Sequence, residues 1–396
     1  MSSLSNNNLY FELYSFVRAI RPRTNPAHIE KTGGKPKILP RQQSPANLHS
    51  IMTRLAIIGT GWWAGVHANE YSKDPRVEIV AVCGTSEEKA AAFAKEHQIP
   101  RSYADFEALL ADGGVDAVAV VTPDRTHCAF AIRALEAGMH VLCEKPLAYT
   151  LEEAERMAAA AAKSGHINMI NFSYRKSAAL AKAEQMVKDG ELGRIFHAEA
   201  RYLQSWLLAT DMGDWRKESK WLWRLSTEHG SKGTLGDTGV HIIDFATLPL
   251  GPVKSIGCRL KTFDKTPGNR IGQYGIDAND SALIDMEFEN GALCSISATR
   301  LAIGCPNKVT LEIYGEKAAL SIDLDKGWDV LEVARLDAQG KQLPWERVEC
   351  PPQRSIYERF MDGIESGTNP QPDFARGLEI QRLLDACERD AKKNSN

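Results

Sequence analysis

The chain has 396 residues, of which 43% are hydrophobic and 25% are charged, and its formal net charge is −3. This length allows two domains, and the weak net charge gives no indication of nucleic-acid binding. No apolar run approaches the roughly 20 residues needed to cross a bilayer, so we expect no transmembrane helix and no membrane partner. The eight cysteines form no C-x-x-C pair and the ten histidines show no metal-ligand spacing. We therefore expect free thiols, a reducing cytoplasmic location and no bound metal.

The first 51 residues differ in composition from the rest of the chain. They carry seven Lys or Arg against two Glu, a local charge of +5, and five prolines without helical or strand periodicity. This composition predicts a disordered leader over residues 1–51. Its origin stays open between an upstream start, an expression leader and an organelle-targeting extension, and no signal-peptide core is visible.

A strand, a glycine turn and a helix start follow Arg54. The apolar run Leu55 to Ile58 leads into Gly59-Thr60-Gly61-Trp62-Trp63-Ala64, which has the spacing G-x-G-x-x-A. In dinucleotide-binding folds the first glycine permits the tight turn, the second lets a pyrophosphate approach the backbone, and the third small residue lets helix and strand pack. We predict that residues 59–64 bind a cofactor, the alternative being a glycine turn of another α/β protein. Trp62 and Trp63 either cap the nicotinamide side or only fill space.

Apolar runs alternate with helical stretches up to residue 172. This alternation predicts a doubly wound parallel sheet, and hence a Rossmann NAD(P)-binding domain over residues 52–172. The predicted strands are Leu55–Ile58, Val77–Cys83, Ala117–Val121, His140–Cys143 and Ile167–Ile170.

The end of the second predicted strand bears on the choice of cofactor. The chain there reads Cys83-Gly84-Thr85-Ser86, followed by Lys89. Folds that select NAD usually place an acidic residue at this point to bind the ribose 2′-hydroxyl. Its absence favours NADP slightly over NAD, although Glu87 keeps NAD open. We predict cofactor contacts from Gly84, Thr85, Ser86 and Lys89.

Two further motifs stand at the carboxyl ends of predicted strands, Thr122-Pro123-Asp124-Arg125-Thr126-His127 and Glu144-Lys145-Pro146. Ligands of open α/β sheets bind outside these ends. The placement predicts a functional lysine at Lys145, against the alternative of a solvated surface lysine. We also predict cofactor contacts from Thr122, Pro123, Asp124, His127, Glu144, Lys145 and Pro146.

Residues 173–396 mix helices with many strand-like runs. Short turns such as Glu289-Asn290-Gly291 are typical of hairpins. We predict an α+β domain with a large, mostly antiparallel, open-faced sheet that serves substrate binding and oligomerisation. Because one face of such a sheet needs a cover, we expect a homo-oligomer, either a dimer or a tetramer.

Asp237 and His241 lie four residues apart where a helix is predicted to begin, in the run GTLGDTGVHIID from Gly233. This spacing places both side chains on one helix face. A neutral imidazole can accept a proton from an alcohol, and an adjacent carboxylate can orient the ring. The alternatives are a simple N-cap for Asp237 and a buried core histidine for His241.

Other candidates for the substrate cleft follow the first domain or lie in a segment rich in Trp and charge. Aromatic faces and paired polar groups suit a carbohydrate ring, while packing or a subunit interface is the alternative for each tryptophan. The substrate-binding candidates are Asn171, Tyr174, Arg175, Trp215, Arg216 and Trp223, together with Asp237 and His241; Trp206, Asp214, Trp221 and Arg224 belong to the same segment.

Four motifs in order, G-x-G-x-x-A, T-P-D-R-T-H, E-K-P and G-D-x-G-x-H, resemble the Gfo/Idh/MocA family, the relatives of glucose–fructose oxidoreductase and inositol dehydrogenase. The likeness runs from Met52 to Lys392. It implies an NAD(P)-dependent dehydrogenase that acts on CH–OH groups of sugars, cyclic polyols or their derivatives. It also implies His241 as general acid–base, Asp237 as its partner, Lys145 as a contact to the substrate hydroxyl and nicotinamide ribose, and a cis bond before Pro146.

Rival functions stay open beside this expectation. Within the same family they are a sugar–sugar oxidoreductase that keeps NADP tightly bound and an NAD-dependent glycosidase. The non-enzyme alternative is a nucleotide-sensing scaffold, against which the presence of Lys145, Asp237 and His241 weighs.

Overall fold

The computed structural model describes residues 52–211 and 213–393. The predicted leader lies outside these residues. The proposed domain division at residues 172/173 stays a prediction. The helix Ile356–Ser366, from the second half of the chain, packs against strand residues of the first half, such as Leu55 and Ile57.

The first sheet has six parallel strands in the order β3-β2-β1-β4-β5-β6. Alternate residues of its central strand serve two cores, since Leu55 and Ile57 face one layer while Ala56 and Ile58 face the other. Burial on both faces is the property of a parallel sheet covered by helices, so the predicted doubly wound domain is confirmed. The strands are β1 Thr53–Ile58, β2 Val77–Cys83, β3 Arg101–Tyr103, β4 Ala117–Val120, β5 His140–Cys143 and β6 Asn168–Ile170.

Five helices connect these strands, and the predicted helix after each of the first strands is present. The strand β3 was not predicted, because three residues reading Arg-Ser-Tyr at the sheet edge carry no apolar run. The helices are α1 Trp62–Tyr71, α2 Glu87–His97, α3 Phe106–Asp112, α4 Asp124–Glu136 and α5 Leu151–Ser164.

The second sheet has eight strands within the described residues, in the order β16-β15-β14-β13-β7-β12-β11-β8. All neighbours pair antiparallel except β7 and β12, which are parallel, so the prediction of a mostly antiparallel sheet is confirmed. The strands are β7 Ile195–Leu203, β8 Val253–Lys261, β11 Ser281–Phe288, β12 Leu293–Thr299, β13 Lys308–Gly315, β14 Ala318–Asp323, β15 Leu331–Arg335 and β16 Glu346–Val348, while β9 Arg270–Ile271 and β10 Tyr274–Gly275 form a separate small hairpin.

One face of the second sheet is covered by helices and the other is open. Along β11 the residues Ala282, Ile284 and Met286 are buried, whereas Leu283 between them is 57% exposed. This period of two is what a half-buried strand produces. The remaining helices are α6 Ala178–Lys188, α7 Val240–Leu250, α8 Ile356–Ser366 and α9 Phe374–Lys393, of which α6, α7 and α9 contact the sheet.

A buried ion cluster fixes α7, the helix that carries His241. Asp244 accepts hydrogen bonds from Arg175 at 2.7 and 2.6 Å and from Arg376 of α9 at 2.9 Å. Burial by itself raises the pKa of Asp244, but the two guanidinium groups outweigh it and lower the pKa below its ordinary value. The cluster therefore joins three separate parts of the chain around one carboxylate.

Replacing Asp244 by Asn should lower the free energy of unfolding by about 3 kcal/mol, because the buried Arg175 loses its carboxylate partner and Arg376 keeps only Glu379. Chemical denaturation monitored by circular dichroism measures this change. The control is Glu155→Gln, which removes an exposed partner of Arg382 and should cost less than about 0.5 kcal/mol. Equal effects of the two substitutions would contradict a supporting role for Asp244.

Candidate active site

The glycine turn after β1 has the shape that a dinucleotide requires. Gly59 has φ +127°, and a Cβ there would lie 2.3 Å from the Val121 carbonyl oxygen. Gly61 caps α1 without a side-chain hydrogen bond, no acidic residue lies in the first turn, and a Cβ on Gly61 would meet nothing within 4 Å. The N-terminal N–H groups of α1 thus border open space, so the residues present fit a bound pyrophosphate. Ala64 is fully buried against the sheet, as the motif predicts.

The two tryptophans of the turn have different environments. Trp62 is 55% exposed, whereas the half-buried Trp63 donates a hydrogen bond from Nε1 to Glu144 Oε1. Trp63 therefore does more than fill space, because it connects the glycine turn to the E-K-P motif.

Glu144 is the centre of a buried hydrogen-bond network below Lys145. Its Oε1 also accepts from His67 Nε2 at 2.9 Å and from Asn171 Nδ2 at 2.6 Å, and its Oε2 accepts from the Lys145 backbone N–H at 3.2 Å. Burial raises the pKa of this carboxyl, but the hydrogen bond and charge of His67 and the charge of Lys145 bring it down to about 2. Glu144 is thus an ionised support for the lysine. Glu144 and Asn171 are both buried, so each acts within this network rather than on an open cleft surface.

His127 ties two ligand-facing loops together. Its Nδ1 lies 3.0 Å from the Pro146 carbonyl oxygen and its Nε2 lies 2.8 Å from the Thr122 carbonyl oxygen. The ring is 1% exposed, so it has no surface left for the predicted cofactor contact. The neighbouring bond Lys145–Pro146 is cis, as expected from the resemblance.

The rest of the T-P-D-R-T-H loop starts α4. Thr126 Oγ1 donates to the hydroxyl of Thr122 at 2.8 Å, Pro123 is the N-cap residue, and Asp124 accepts from the Arg125 N–H at 3.0 Å. Burial raises the pKa of Asp124. Thr122, Pro123 and Asp124 stay proposed cofactor contacts.

A cavity of about 480 Å³ adjoins the end of β2. Thr85 lines it, and Ser86 beside it caps α2 by accepting the Lys89 N–H at 3.3 Å. Gly84 has no room for a side chain, since a Cβ would lie 2.9 Å from Thr60 Cγ2. The other lining residues are Cys83, Ala104, Asp105, Phe106, Glu107, Ala129, Phe130 and Arg133.

Asp237 is surrounded by three cations. Its Oδ1 accepts from Lys145 Nζ at 3.0 Å and from Arg224 Nη1 at 3.3 Å, and its Oδ2 accepts from Arg300 Nη2 at 2.8 Å. Lys145 Nζ also donates to the Asp237 carbonyl oxygen at 3.1 Å. Burial raises the pKa of Asp237, but Lys145, Arg224 and Arg300 outweigh it and hold the pKa well below its usual range.

His241 lies next to this cluster in the first turn of α7 and is 8% exposed. Burial and the nearby Lys145 ammonium lower its pKa to about 3, so the ring is neutral at neutral pH. Its Nδ1 has no hydrogen-bond partner within the described residues, and its ring packs edge-on against Tyr174 with centroids 5.0 Å apart.

The expected pairing of Asp237 with the His241 ring is corrected by this geometry. No hydrogen bond between the two side chains occurs among the described residues, because both carboxylate oxygens bind cations. Asp237 lies in a π-helical turn, Leu235–Gly239, where the wider winding changes the angular offset of residues four apart. Packing against Tyr174 places the imidazole instead.

The predicted substrate residues divide into two groups. Tyr174 contacts His241, and Trp223 lies below the Arg224 guanidinium at 4.8 Å. Arg175 is buried and bonded to Asp244, so we remove it from the substrate candidates. Trp215 is 1% exposed in a separate apolar cluster and donates to the Leu207 carbonyl oxygen, with Arg216 lying over its ring at 4.6 Å. Trp215 is therefore a packing residue, whereas the exposed Arg216 stays a proposed substrate contact.

Sequence reasoning missed Arg300 and His67 as parts of the site. Arg300 is 1% exposed and follows directly after β12. An isolated charged residue at the end of an apolar strand could have indicated a functional residue at this position. His67 lies one turn of α1 beyond Trp63, and its Nε2 binds Glu144.

Within 52–211 and 213–393, no group of three or more His, Cys, Asp or Glu could hold a metal ion. In that part of the chain no helix is both long and apolar enough to cross a bilayer. All eight cysteines are free thiols, as predicted, and seven of them are buried.

Two family models match this chain. One, described as the oxidoreductase family with an NAD-binding Rossmann fold, matches residues 53–172, and the other, the GFO/IDH/MocA C-terminal domain, matches residues 180–321. Together they span more than half of the 396 residues.

Several of the curated relatives are named as sugar dehydrogenases or reductases. The levoglucosan dehydrogenase of Pseudarthrobacter phenanthrenivorans is 28% identical over 384 residues, which cover 86% of this chain and 96% of the relative. The D-glucoside 3-dehydrogenase of Escherichia coli is 31% identical over 285 residues, covering 68% and 76% respectively.

Solved structures agree with this assignment. Levoglucosan dehydrogenase in complex with NADH and L-sorbose superposes with a TM-score of 0.76 at 28% identity, covering 86% of this chain and 97% of that one. An oxidoreductase domain protein from Kribbella flavida gives 0.75 at 32% identity, with 87% and 98% covered. On the matched models, the fold and these relatives, the chain belongs to the Gfo/Idh/MocA family of NAD-binding oxidoreductases.

Proposed function

We propose that this enzyme transfers a hydride between a nicotinamide dinucleotide and a hydroxyl-bearing carbon of a sugar, cyclic polyol or sugar derivative. The observation that carries the proposal is the 3.0 Å ion pair between Lys145 and Asp237. It brings the E-K-P motif at the carboxyl end of β5 against the turn that leads to His241. The names of the relatives, which are dehydrogenases of sugars, support the substrate class.

The cofactor would be held at the carboxyl ends of the first sheet. The glycine turn of Gly59 to Gly61 and the N-terminus of α1 suit its pyrophosphate, while Thr122, Trp63 and Lys145 would meet its nicotinamide half. When bound, the nicotinamide supplies the hydride acceptor for oxidation or the hydride donor for reduction.

His241 would accept the hydroxyl proton. Oxidation of an alcohol removes a proton along with the hydride, so a base within hydrogen-bond reach is required. A ring with a pKa of about 3 is unprotonated at neutral pH and has a lone pair ready. The same low proton affinity means that the ring passes the proton on to water. In the reverse direction a protonated His241 would be a strong acid toward the carbonyl oxygen.

Lys145 would bind the same hydroxyl. Its ammonium stabilises negative charge that develops on the substrate oxygen, and thereby assists a base of low proton affinity. In this proposal Asp237 acts through Lys145, because its carboxylate holds the ammonium at 3.0 Å, and it does not orient the histidine.

We propose NAD as the preferred cofactor, which reverses the slight preference for NADP derived from the sequence. The cavity beside Thr85 is lined by Asp105 and Glu107. The charge of Arg133 in that cavity is already balanced by Glu107 at 2.7 Å and Glu136 at 3.1 Å. A 2′-phosphate would therefore meet unbalanced negative charge, whereas a 2′-hydroxyl would find acceptors.

A homo-oligomer formed by the open face of the second sheet is part of the proposal. In register across four strands, Tyr314, His197, Leu293 and Glu287 form a row, and Leu293 is 55% exposed. The face carries charges of both signs, such as the Arg201–Glu199 pair, so a second copy could complement it. Light scattering from the purified chain distinguishes a dimer or tetramer from a monomer.

The proposed reaction is tested by offering the purified protein NAD or NADP with neutral and acidic sugars, inositols and glycosides while absorbance at the reduced-nicotinamide band is recorded. Growth of the band with a sugar or polyol is the expected result. Release of an aglycone without net reduction, or sugar-to-sugar transfer by protein that already holds its cofactor, would contradict it in favour of the rivals named above.

Replacing His241 by Gln should lower kcat at least about 100-fold, since a positioned acid–base group contributes that much or more. The dissociation constant for NADH, measured by fluorescence, should change less than about twofold, because the side chain meets the substrate rather than the cofactor. The control is His229→Gln, a histidine bonded to Ser226 outside the Asp237 cluster, which should keep normal kcat. A normal rate in His241→Gln would remove the acid–base assignment.

The depressed pKa of His241 also predicts a dependence of stability on pH. The folded ring has a pKa of about 3 against an ordinary value of 6.5, so unfolding takes up a proton between these values. The contribution is fully present above pH 6.5 and is lost as pH falls towards 3. Between about pH 7.5 and about pH 5.5 the wild type should therefore lose about 1 kcal/mol more unfolding free energy than His241→Gln. Parallel pH profiles of the two proteins in urea would contradict the buried neutral ring.

The NAD preference predicts that Asp105→Asn combined with Glu107→Gln strengthens NADPH binding about tenfold, because two like charges near the phosphate disappear. NADH binding should change less than about twofold. Fluorescence titration of both cofactors measures this without turnover. The exposed pair Glu152→Gln and Glu155→Gln on α5 controls for net charge. Unchanged NADPH affinity would mean that the 2′ group lies elsewhere.

A further inference from the structure

We propose that the substrate carries an oxyanion group, a carboxylate or a phosphate, close to its reacting hydroxyl, and that Arg224 binds this group. The inference rests on the proposed function, since it concerns the same cleft and names its substrate class. It starts from the charge balance around Asp237.

The cluster at Asp237 contains more positive than negative charge. One carboxylate serves Lys145, Arg224 and Arg300. Glu144 is bonded to His67, Trp63 and Asn171 and binds the lysine only through its backbone. Asp280, which lies near Arg300, is paired with Lys265. Three cations therefore share the single carboxylate of Asp237, an excess of two positive charges, which favours an anionic ligand at this position.

Of the three cations, Arg224 has the most exposed side chain. Arg300 is 1% exposed and its nitrogens reach the carbonyl oxygens of Arg224 and Gly233 besides Asp237. Lys145 is 15% exposed and bonded twice to Asp237. The Arg224 side chain is 32% exposed, and only its Nη1 has a recorded hydrogen bond, a long one of 3.3 Å to Asp237.

The remaining edge of the Arg224 guanidinium matches an oxyanion. Within the described residues its Nε and Nη2 donate no hydrogen bond. These two parallel N–H groups form the fork of the guanidinium, which binds a carboxylate or phosphate through two oxygens. The guanidinium carbon lies 4.8 Å from the Trp223 ring centroid and 6.0 Å from that of Trp221. Because stacking on these rings restricts the orientation of the guanidinium, the side chain loses less conformational entropy when it binds a ligand.

A second observation points to a missing negative charge. The Nε of Arg300 is a buried donor without a partner in the described residues. Burial lowers the pKa of Arg300 despite its bond to Asp237 and the nearby Asp280, which indicates that the two carboxylates compensate its charge incompletely. An anion bound at Arg224, beside the shared Asp237, would improve this balance.

Binding of the oxyanion by Arg224 is distinct from stabilisation of the reacting oxygen, which Lys145 provides for every substrate. Oxyanion recognition by Arg224 acts on substrate affinity and only for charged substrates. It also weakens with added salt, because a partly exposed charge is screened.

The test compares matched neutral and anionic ligands, D-glucose against D-glucuronate and D-glucose 6-phosphate, and D-galactose against D-galacturonate. Binding to the protein loaded with NADH is measured by titration calorimetry, and KM and kcat are measured with NAD where turnover occurs. The variants are Arg224→Gln, Arg224→Lys for partial rescue, and the control Arg389→Gln, an arginine of α9 that is paired with Asp385 and 65% exposed.

An anionic member of the panel should bind at least about tenfold more tightly than its neutral counterpart, and Arg224→Gln should weaken binding of the anionic member at least about tenfold more than binding of the neutral one. The carboxylate and phosphate arms show which oxyanion is preferred. Equal binding of neutral and anionic partners, equal losses for both in Arg224→Gln, or no salt dependence would overturn the proposal. Turnover of neutral sugars with such a result would leave the dehydrogenase function standing. Calorimetry tests anion binding by Arg224 even if no sugar is oxidised. Absence of oxidation would count against the proposed reaction and not against anion binding.

Discussion

The ion pair between Lys145 and Asp237 connects the two parts of the candidate site. Lys145 comes from the carboxyl end of β5 in the parallel sheet, and Asp237 comes from the π-helical turn before α7. A lysine side chain has many rotamers, so an ammonium at a cleft needs a fixed acceptor to hold one position. Asp237 supplies two such acceptors, its carboxylate and its carbonyl oxygen. The distance between the cofactor-facing motif and His241 therefore depends on this bond.

Two buried carboxylates support the pair from opposite sides. Glu144 anchors the backbone of Lys145 to Trp63 of the glycine turn, and Asp244 anchors α7 to Arg175 and Arg376. Each is ionised because hydrogen bonds and positive charge outweigh the cost of burial. The neutral His241 lies between these charged groups, where burial and the Lys145 ammonium lower its pKa despite the nearby carboxylates.

Local patterns were sufficient for most of the fold. The strands β1, β2, β4 and β5 are mostly apolar runs, and the β11–β12 hairpin has an Asn-Gly turn. These local patterns predict buried strands and a hairpin, which the structure contains. The edge strand β3 and the return of α8 to the first sheet could not be predicted, since one is too short and polar and the other depends on contacts far apart in sequence.

The sequence indicated several residues of the candidate site but not which of them bond to each other. The resemblance placed Lys145 and Asp237 in one site, and their side chains form an ion pair. The four-residue spacing suggested a bond between Asp237 and the His241 ring, but among the described residues both carboxylate oxygens of Asp237 bind cations instead. Arg175 and His127 were expected to bind substrate and cofactor, whereas both are buried and bonded within the protein. Arg300 reaches Asp237 from the end of β12, a contact set by the pairing of the second sheet. Such partners follow from tertiary geometry, which one sequence does not contain.

The most direct measurement of the central claim follows the hydride itself. A sugar or polyol substrate deuterated at the carbon that bears the reacting hydroxyl is incubated with NAD, and the reduced cofactor is examined by mass spectrometry for wild type and Lys145→Met. On the proposed mechanism we expect deuterium in the NADH formed by the wild type, and strongly slowed formation of labelled NADH in the variant. Deuterium released to water, or an equal rate of labelled NADH formation in Lys145→Met, would contradict it.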